Sequence, residues 1–136
     1  MRVAVDERGH FWVQVEYRIG RYQERIWAIL DTGFSGVLCL PMYMLDRLRA
    51  IVGEPEGTSR MELADGSVPQ SPYYIGFVKV VAVGQETLGH IYLLGNQPIV
   101  GLKALQGLAI AVTPEPKIFS LTHSPTLEAL LKTLDP

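Results

Sequence analysis

The sequence predicts a single, mainly β domain with one or two short helices. Three observations carry that expectation. Residues Phe11 to Ile19 alternate strictly, with Phe11, Val13, Val15, Tyr17 and Ile19 on one face and Trp12, Gln14, Glu16 and Arg18 on the other, the period of a half-buried strand. Thirteen glycines and nine prolines punctuate 136 residues, so apolar runs are repeatedly broken by turn chemistry. Helical spacing is confined to one stretch before Gly53 and one near the C-terminus. The length suits one domain with a real core.

In chain order, Gly20-Arg21 supplies a turn, and Tyr22 to Leu30 returns as the second arm of a hairpin. That arm grows continuously apolar toward its end, which predicts a strand buried on both faces. Val37 to Leu40 reads as a short core strand closed by Pro41. Met42 to Val52 has helical spacing, with Leu45, Leu48 and Ile51 or Val52 on one side, Pro41 before it and Gly53 after it. Thr58 to Val83 reads as a long hairpin turning at Ala64-Asp65-Gly66-Ser67, because Asp-Gly is a strong hairpin signal. Pro69 and Pro72 cannot donate ladder hydrogen bonds and predict an irregular return arm, with strand resuming from Tyr73 to Val81.

Gly84-Gln85-Glu86 predicts a turn, His90 to Gly95 a core strand, and Asn96-Gln97-Pro98 a loop. Ile99-Val100-Gly101 then leads into a helix-like Leu102 to Leu105 and an apolar Ala109 to Val112. Pro114-Glu115-Pro116 reads as a linker, Lys117 to Leu121 as a last strand, and Pro125 to Leu134 as an amphipathic helix.

Composition excludes several function classes. The formal net charge is −2, so no basic surface marks a nucleic-acid or anionic-membrane partner. His10, His90 and His123 are scattered without metal-ligand spacing, and no metal or cofactor is expected. Cys39 is the single cysteine, which rules out an intramolecular disulfide and reads as a buried structural thiol. Gly101-Leu102-Lys103 lacks the earlier glycine and the following hydroxyl of a phosphate loop. Ser35-Gly36 lacks the leading glycine of a nucleophile elbow. No apolar run reaches membrane-spanning length, and Asp6, Glu7 and Arg8 interrupt the N-terminal stretch. A cytoplasmic protein is expected.

One stretch carries chemistry. Ile26 to Leu30 brings the chain through the core to Asp31, Thr32 and Gly33. Burial raises a carboxyl pKa unless partners compensate, so an acid at such a place is either paired or functional. Asp-Thr-Gly alone is a common turn composition, and Gly33 permits a turn that a Cβ would obstruct.

Read together, Ala28 to Gly36 and Val37-Leu38-Cys39-Leu40-Pro41 resemble the active-site segment of the retropepsin-like aspartic peptidases, in the small single-lobe form found in prokaryotes. Ile99-Val100-Gly101 and the helix after it resemble the second half of that internally two-fold fold. The likeness covers approximately residues 11 to 113. It implies a retropepsin-like acid-protease closed barrel, one lobe per chain. Residues 1–113 would form the domain and 114–136 a C-terminal strand and helix extending it. The Thr58 to Val83 hairpin would be a flap over the substrate, with Ala64, Asp65 and Gly66 at its tip, although this tip lacks the glycine-rich wording of viral enzymes. Viral relatives also place an arginine after the triplet glycine, where this chain has Leu102, and pair it with an acid where this loop offers Ser35.

Hydrolysis by this chemistry needs two carboxyls, one ionised to take a proton from water and one protonated to donate. The chain holds one Asp-Thr-Gly, with Gly95-Asn96-Gln97 where a second acid would stand. The implied enzyme is therefore a homodimeric aspartic endopeptidase with Asp31 from each copy on a two-fold axis, acting on a peptide or protein substrate. The resemblance also implies that Thr32 bonds across the axis, that Gly33 admits the substrate backbone and bonds the carboxylate, and that Ser35 bonds Asp31 from outside. Phe34 is open between lining a pocket and filling the core. The alternative is a peptide-binding or regulatory module on the same fold without turnover. The C-terminal helix is open between completing the dimer and covering the cleft.

Overall fold

The computed structural model describes residues 3–63, 65–113 and 118–123. Its strands are β1 (Val3–Val5), β2 (Phe11–Ile19), β3 (Tyr22–Leu30), β4 (Leu38–Leu40), β5 (Gly57–Arg60), β6 (Gln70–Val80), β7 (Gln85–Leu93), β8 (Ile99–Val100), β9 (Leu108–Thr113) and β10 (Ile118–His123). One α-helix, α1 (Leu45–Val52), follows a 3-10 turn at Met42–Met44, and a second 3-10 turn spans Leu102–Leu105. The expected C-terminal helix lies outside the described residues.

Eight strands form one sheet in the order β1-β2-β3-β8-β4-β7-β6-β5, and β9 pairs with β10 in a second, two-stranded sheet. β2 also pairs with β6, Val15 opposite Val80 and Arg18 opposite Phe77, so the succession of pairings leads back to β2. The two halves of the chain exchange strands. β4 lies parallel to β7, with Leu38 opposite Ile91 and Leu40 opposite Leu93. β8 lies parallel to β3, with Ile29 opposite Ile99 and Leu30 opposite Val100. Each half thus places its short strand beside the long strand of the other, the arrangement of an internally two-fold lobe.

The alternation in β2 does what its period requires. Val13, Val15, Tyr17 and Ile19 are buried and join Leu38, Leu40, Leu48, Val78, Val80, Ile91, Leu93 and Val100 in one core. Burying one such aliphatic side chain contributes about 1.5–3 kcal/mol. Leu48 brings α1 onto that core, with Val52, not the exposed Ile51, beside it. Gly53 ends the helix at φ 94°, a left-handed position that favours glycine. Glu24 fastens this helix to the first hairpin. Its carboxylate accepts from Tyr17 Oη and Tyr22 Oη, each at 2.6 Å, and from Arg47 Nη2 at 2.8 Å. Cys39 is buried, and burial pushes its thiol up to about 11, which keeps it protonated and unreactive.

Four expectations are corrected. β3 is not buried on both faces: Trp27 is 37% exposed, and Ile29 and Leu30 are only half-buried, because the end of the strand borders a cavity. Pro72 does not interrupt the return arm, which is β-strand from Gln70. It sits opposite Thr58 of β5, before the β6–β7 ladder begins at Tyr73, where a missing amide proton is tolerated. The neighbouring Ser71 hydroxyl instead donates to the Leu93 carbonyl at 2.9 Å. Gln85 and Glu86 are not a turn but the start of β7, drawn into the ladder opposite Val80 and Lys79. The helix-like Leu102 to Leu105 is a single 3-10 turn.

Candidate active site

The site is built where β8 enters between the two arms of the Asp31 loop. Asp31 N donates to Val100 O at 3.0 Å and Ile29 N to Pro98 O at 2.9 Å, closing the end of β3 against β8. On the returning arm, Gly101 N donates to Val37 O at 3.0 Å, Leu102 N to Phe34 O at 2.7 Å, and Lys103 N to Gly36 O at 3.2 Å. The loop is therefore gripped on both sides by residues 98–103, far away in sequence. Each backbone bond is modest alone, but together they satisfy groups that a loop would otherwise leave to water.

Gly101 is needed for this fit. A side chain there would place its first carbon 2.6 Å from Phe34 O, 2.5 Å from Phe34 Cδ2 and closer still to Gly36 O. The Phe34 ring leans on this same crossing. It lies over Gly36 and meets Tyr92 edge to face, with centroids 6.2 Å apart. Of the two readings open for Phe34, the ring is half-buried and packs against Gly36, Gly101 and Tyr92.

Asp31 itself is exposed in the single chain, as are Thr32, Gly33 and Ser35. Gly33 N donates to Asp31 Oδ1 at 2.8 Å and Phe34 N to Asp31 O at 3.2 Å, so the loop folds around its own carboxylate. Gly33 is not one of the glycines with positive φ. Its role is spatial: an added Cβ would lie 3.1 Å from Asp31 Oδ1, crowding the carboxylate that its amide holds. Among the described residues no hydrogen bond joins Ser35 to Asp31. Leu102 is 47% exposed and contributes its amide to the brace.

The hairpin tip stands apart. Asp65 Oδ1 accepts from Ser67 N at 2.9 Å and from Ser67 Oγ at 2.6 Å, while Gly66 turns at φ 85°. Ala64 lies outside the described residues. No hydrogen bond or ion pair among the described residues joins Asp65 or Gly66 to the Asp31 loop.

A cavity of about 490 Å³ opens beside Asp31, lined by Leu30, Ile99, His10, Asn96 and Gln97 among others. His10 is a site residue that the spacing of histidines does not reveal. It arrives through the β1–β2 turn, where Asp6 N donates to His10 O at 3.1 Å. The signal available in the sequence was the Asp6-to-His10 turn itself, five residues with an acid at its head. No group of three or more His, Cys, Asp or Glu among the described residues could hold a metal ion. The arrangement offers one open carboxylate, held by an amide, at the wall of a cavity with an apolar floor and a polar rim. A carboxyl so placed can transfer protons to or from a bound molecule.

Comparison with known proteins agrees with this architecture. No family model matches the sequence, and no curated protein matches it. Among solved structures, the chain is similar to the crystal structure of a retropepsin-like aspartic protease from Rickettsia conorii. The two share 16% identity over 90% of this chain and 89% of the other, with a TM-score of 0.58. At that identity the likeness speaks to the fold alone. The described residues contain no helix long and apolar enough to cross a membrane. The chain has the mainly β, retropepsin-like single-lobe fold.

Proposed function

We propose that the chain is an aspartic endopeptidase working as a symmetric homodimer, with Asp31 of each copy meeting at the two-fold axis. The observation that carries this reading is the Asp31 loop: an exposed carboxylate, held by the Gly33 amide at 2.8 Å, on a turn braced from both sides by β8. The cavity beside it leaves room for a substrate side chain.

Two carboxyls about 3 Å apart cannot both ionise cheaply, so they share one proton, as aspartic proteases generally do. The ionised Asp31 takes a proton from a water as its oxygen attacks the scissile carbonyl carbon. Asp31 of the second copy gives its proton to the carbonyl oxygen. Collapse of the tetrahedral intermediate expels the amine, which takes a proton from one carboxyl while the diol hydroxyl returns one to the other, leaving the acid product and the singly protonated pair. Thr32 bonds across the axis, Ser35 stands at the outer side of the loop, and the β5–β6 hairpin closes over the peptide.

The test is a paired digestion. A diverse peptide mixture is incubated with the wild type and with Asp31→Asn from mildly acidic to neutral pH, and products are read by mass spectrometry. Cleavage by the wild type alone is expected. Cleavage surviving in the variant contradicts the reading. A peptide held tightly but never cut by the wild type would identify a binding module instead.

A further inference from the structure

The wall of the cavity beside Asp31 has an electrostatic bias that neither the fold nor the catalytic carboxyl requires. The apolar floor is Leu30 and Ile99, while the rim is His10, Asn96 and Gln97. Asp6 stands behind His10. Its carboxylate accepts from Arg8 N at 2.8 Å, His10 N at 3.0 Å and Trp12 Nε1 at 2.8 Å. Its Oδ2 lies 3.4 Å from His10 Nδ1. The Trp12 indole and the two amides hold the Asp6 carboxyl below the usual range against the opposing effect of burial, so it stays ionised across the working range.

With Nδ1 assigned as donor toward Asp6, His10 Nε2 is the ring nitrogen left for a ligand, and in the neutral imidazole it is an acceptor. The charged and titratable groups facing His10 are Asp6 on its own turn and Asp31 at the end of β3. The β7–β8 loop contributes the neutral Asn96 and Gln97. Asp31 is the one formally charged lining residue, Asp6 stands against His10, and no lysine or arginine lines the cavity among the described residues.

We propose, building on the peptidase reading above, that this cavity selects a lysine or arginine side chain close to the cleaved bond, with His10 setting the preference. The methylene stem lies along Leu30 and Ile99, as long basic side chains favour. The cationic head donates to His10 Nε2 and to the side-chain oxygens of Asn96 and Gln97, in the field of Asp6 and Asp31.

The experiment compares peptides in which lysine is exchanged for norleucine, which keeps the stem and removes the amine, at each position flanking the mapped cleavage site. The ratio of kcat/KM for lysine over norleucine isolates the cavity, because the titration of the catalytic pair is common to both peptides. In the wild type it is expected at about tenfold near pH 7, the worth of one charge-assisted hydrogen bond. His10→Lys, checked for folding by thermal melt, drives it below one, and Asn96→Asp raises it. A wild-type ratio at or below one at neutral pH at every position, or a ratio that His10→Lys does not change, overturns the proposal. The same peptides are titrated onto Asp31→Asn, which keeps Asp6, His10, Asn96 and Gln97. A binding preference for lysine there, with no cleavage by the wild type, overturns the peptidase reading and leaves the cavity assignment standing. Loss of the preference in both assays overturns the assignment.

Discussion

The Asp31 loop and the tip of the β5–β6 hairpin are both tight turns with an aspartate that accepts from an amide two residues on, yet they are held in opposite ways. Asp31 Oδ1 accepts from Gly33 N at 2.8 Å and Asp65 Oδ1 from Ser67 N at 2.9 Å. Around Asp31, however, the backbone is gripped by residues 98–103 of a distant segment, and Gly101 leaves no space for another atom. Among the described residues the tip is tied only to itself, through Leu63 N to Ser67 O and Gly66 N to Leu63 O, both 2.9 Å, and Met61 N to Pro69 O at 2.9 Å. The same local turn chemistry becomes a fixed platform in one place and an exposed, self-contained arch in the other. Under the proposed dimer, a carboxyl that meets its counterpart needs the first, and a hairpin that lets substrate in and out suits the second.

The sharpest way to break this contrast is at the platform. Asp31→Ala is expected to lower kcat/KM by about 10³-fold or more while leaving the melting temperature near the wild-type value, since the side chain is exposed. Gly101→Ala tests the brace. Its methyl meets backbone oxygens that cannot swing aside, so chemical denaturation should show a loss of at least about 3 kcal/mol, with activity lost in parallel. Gly36→Ala should cost less, because the added carbon meets the Phe34 ring at 2.6 Å and a ring can turn where a carbonyl cannot.

Glu24 supplies a reference far from both turns. Burial pushes its carboxyl up, but the hydroxyls of Tyr17 and Tyr22 and the Arg47 guanidinium outweigh this and hold it below the ordinary value of 4.5. A carboxyl depressed in the fold stabilises above its unfolded pKa, and that stability is lost as pH falls through the folded value. Glu24→Gln should therefore cost about 1–2 kcal/mol at pH 7, and urea titrations should show the gap closing below about pH 4. The smallest effect belongs to the tip. Asp65→Ala should leave the melting temperature unmoved and change KM a few-fold at most, as expected for a segment that covers without bracing. A large loss of stability there would erase the contrast.

Much of the platform was legible in the sequence because its signals are local. The β2 alternation, the Asp-Thr-Gly after an apolar run, the Pro41 and Gly53 punctuation of α1 and the Ile99-Val100-Gly101 triplet each state their own structure. What stayed hidden depends on partners distant in the chain. The three residues of β1 are too few to show a period, and they are strand because Val3–Val5 pair with β2. Gln85 and Glu86 carry no strand signature and are strand because Val80 and Lys79 lie opposite. Nothing near Gly101 in sequence says that Gly36 and Phe34 press against it, and nothing near His10 says that Asp31 shares its cavity. Gly33 read as a glycine for turning and is a glycine for closeness, a distinction only the position of the Asp31 carboxylate makes.

The central claim is that one Asp31 from each of two copies forms a single catalytic pair. It is tested most directly by mixing wild type with Asp31→Asn at constant total protein, after conditions that exchange subunits, and measuring cleavage against the wild-type fraction. The account predicts activity falling as the square of that fraction, because a mixed pair has only one carboxyl. A linear fall, with each wild-type chain cutting regardless of its partner, would contradict it.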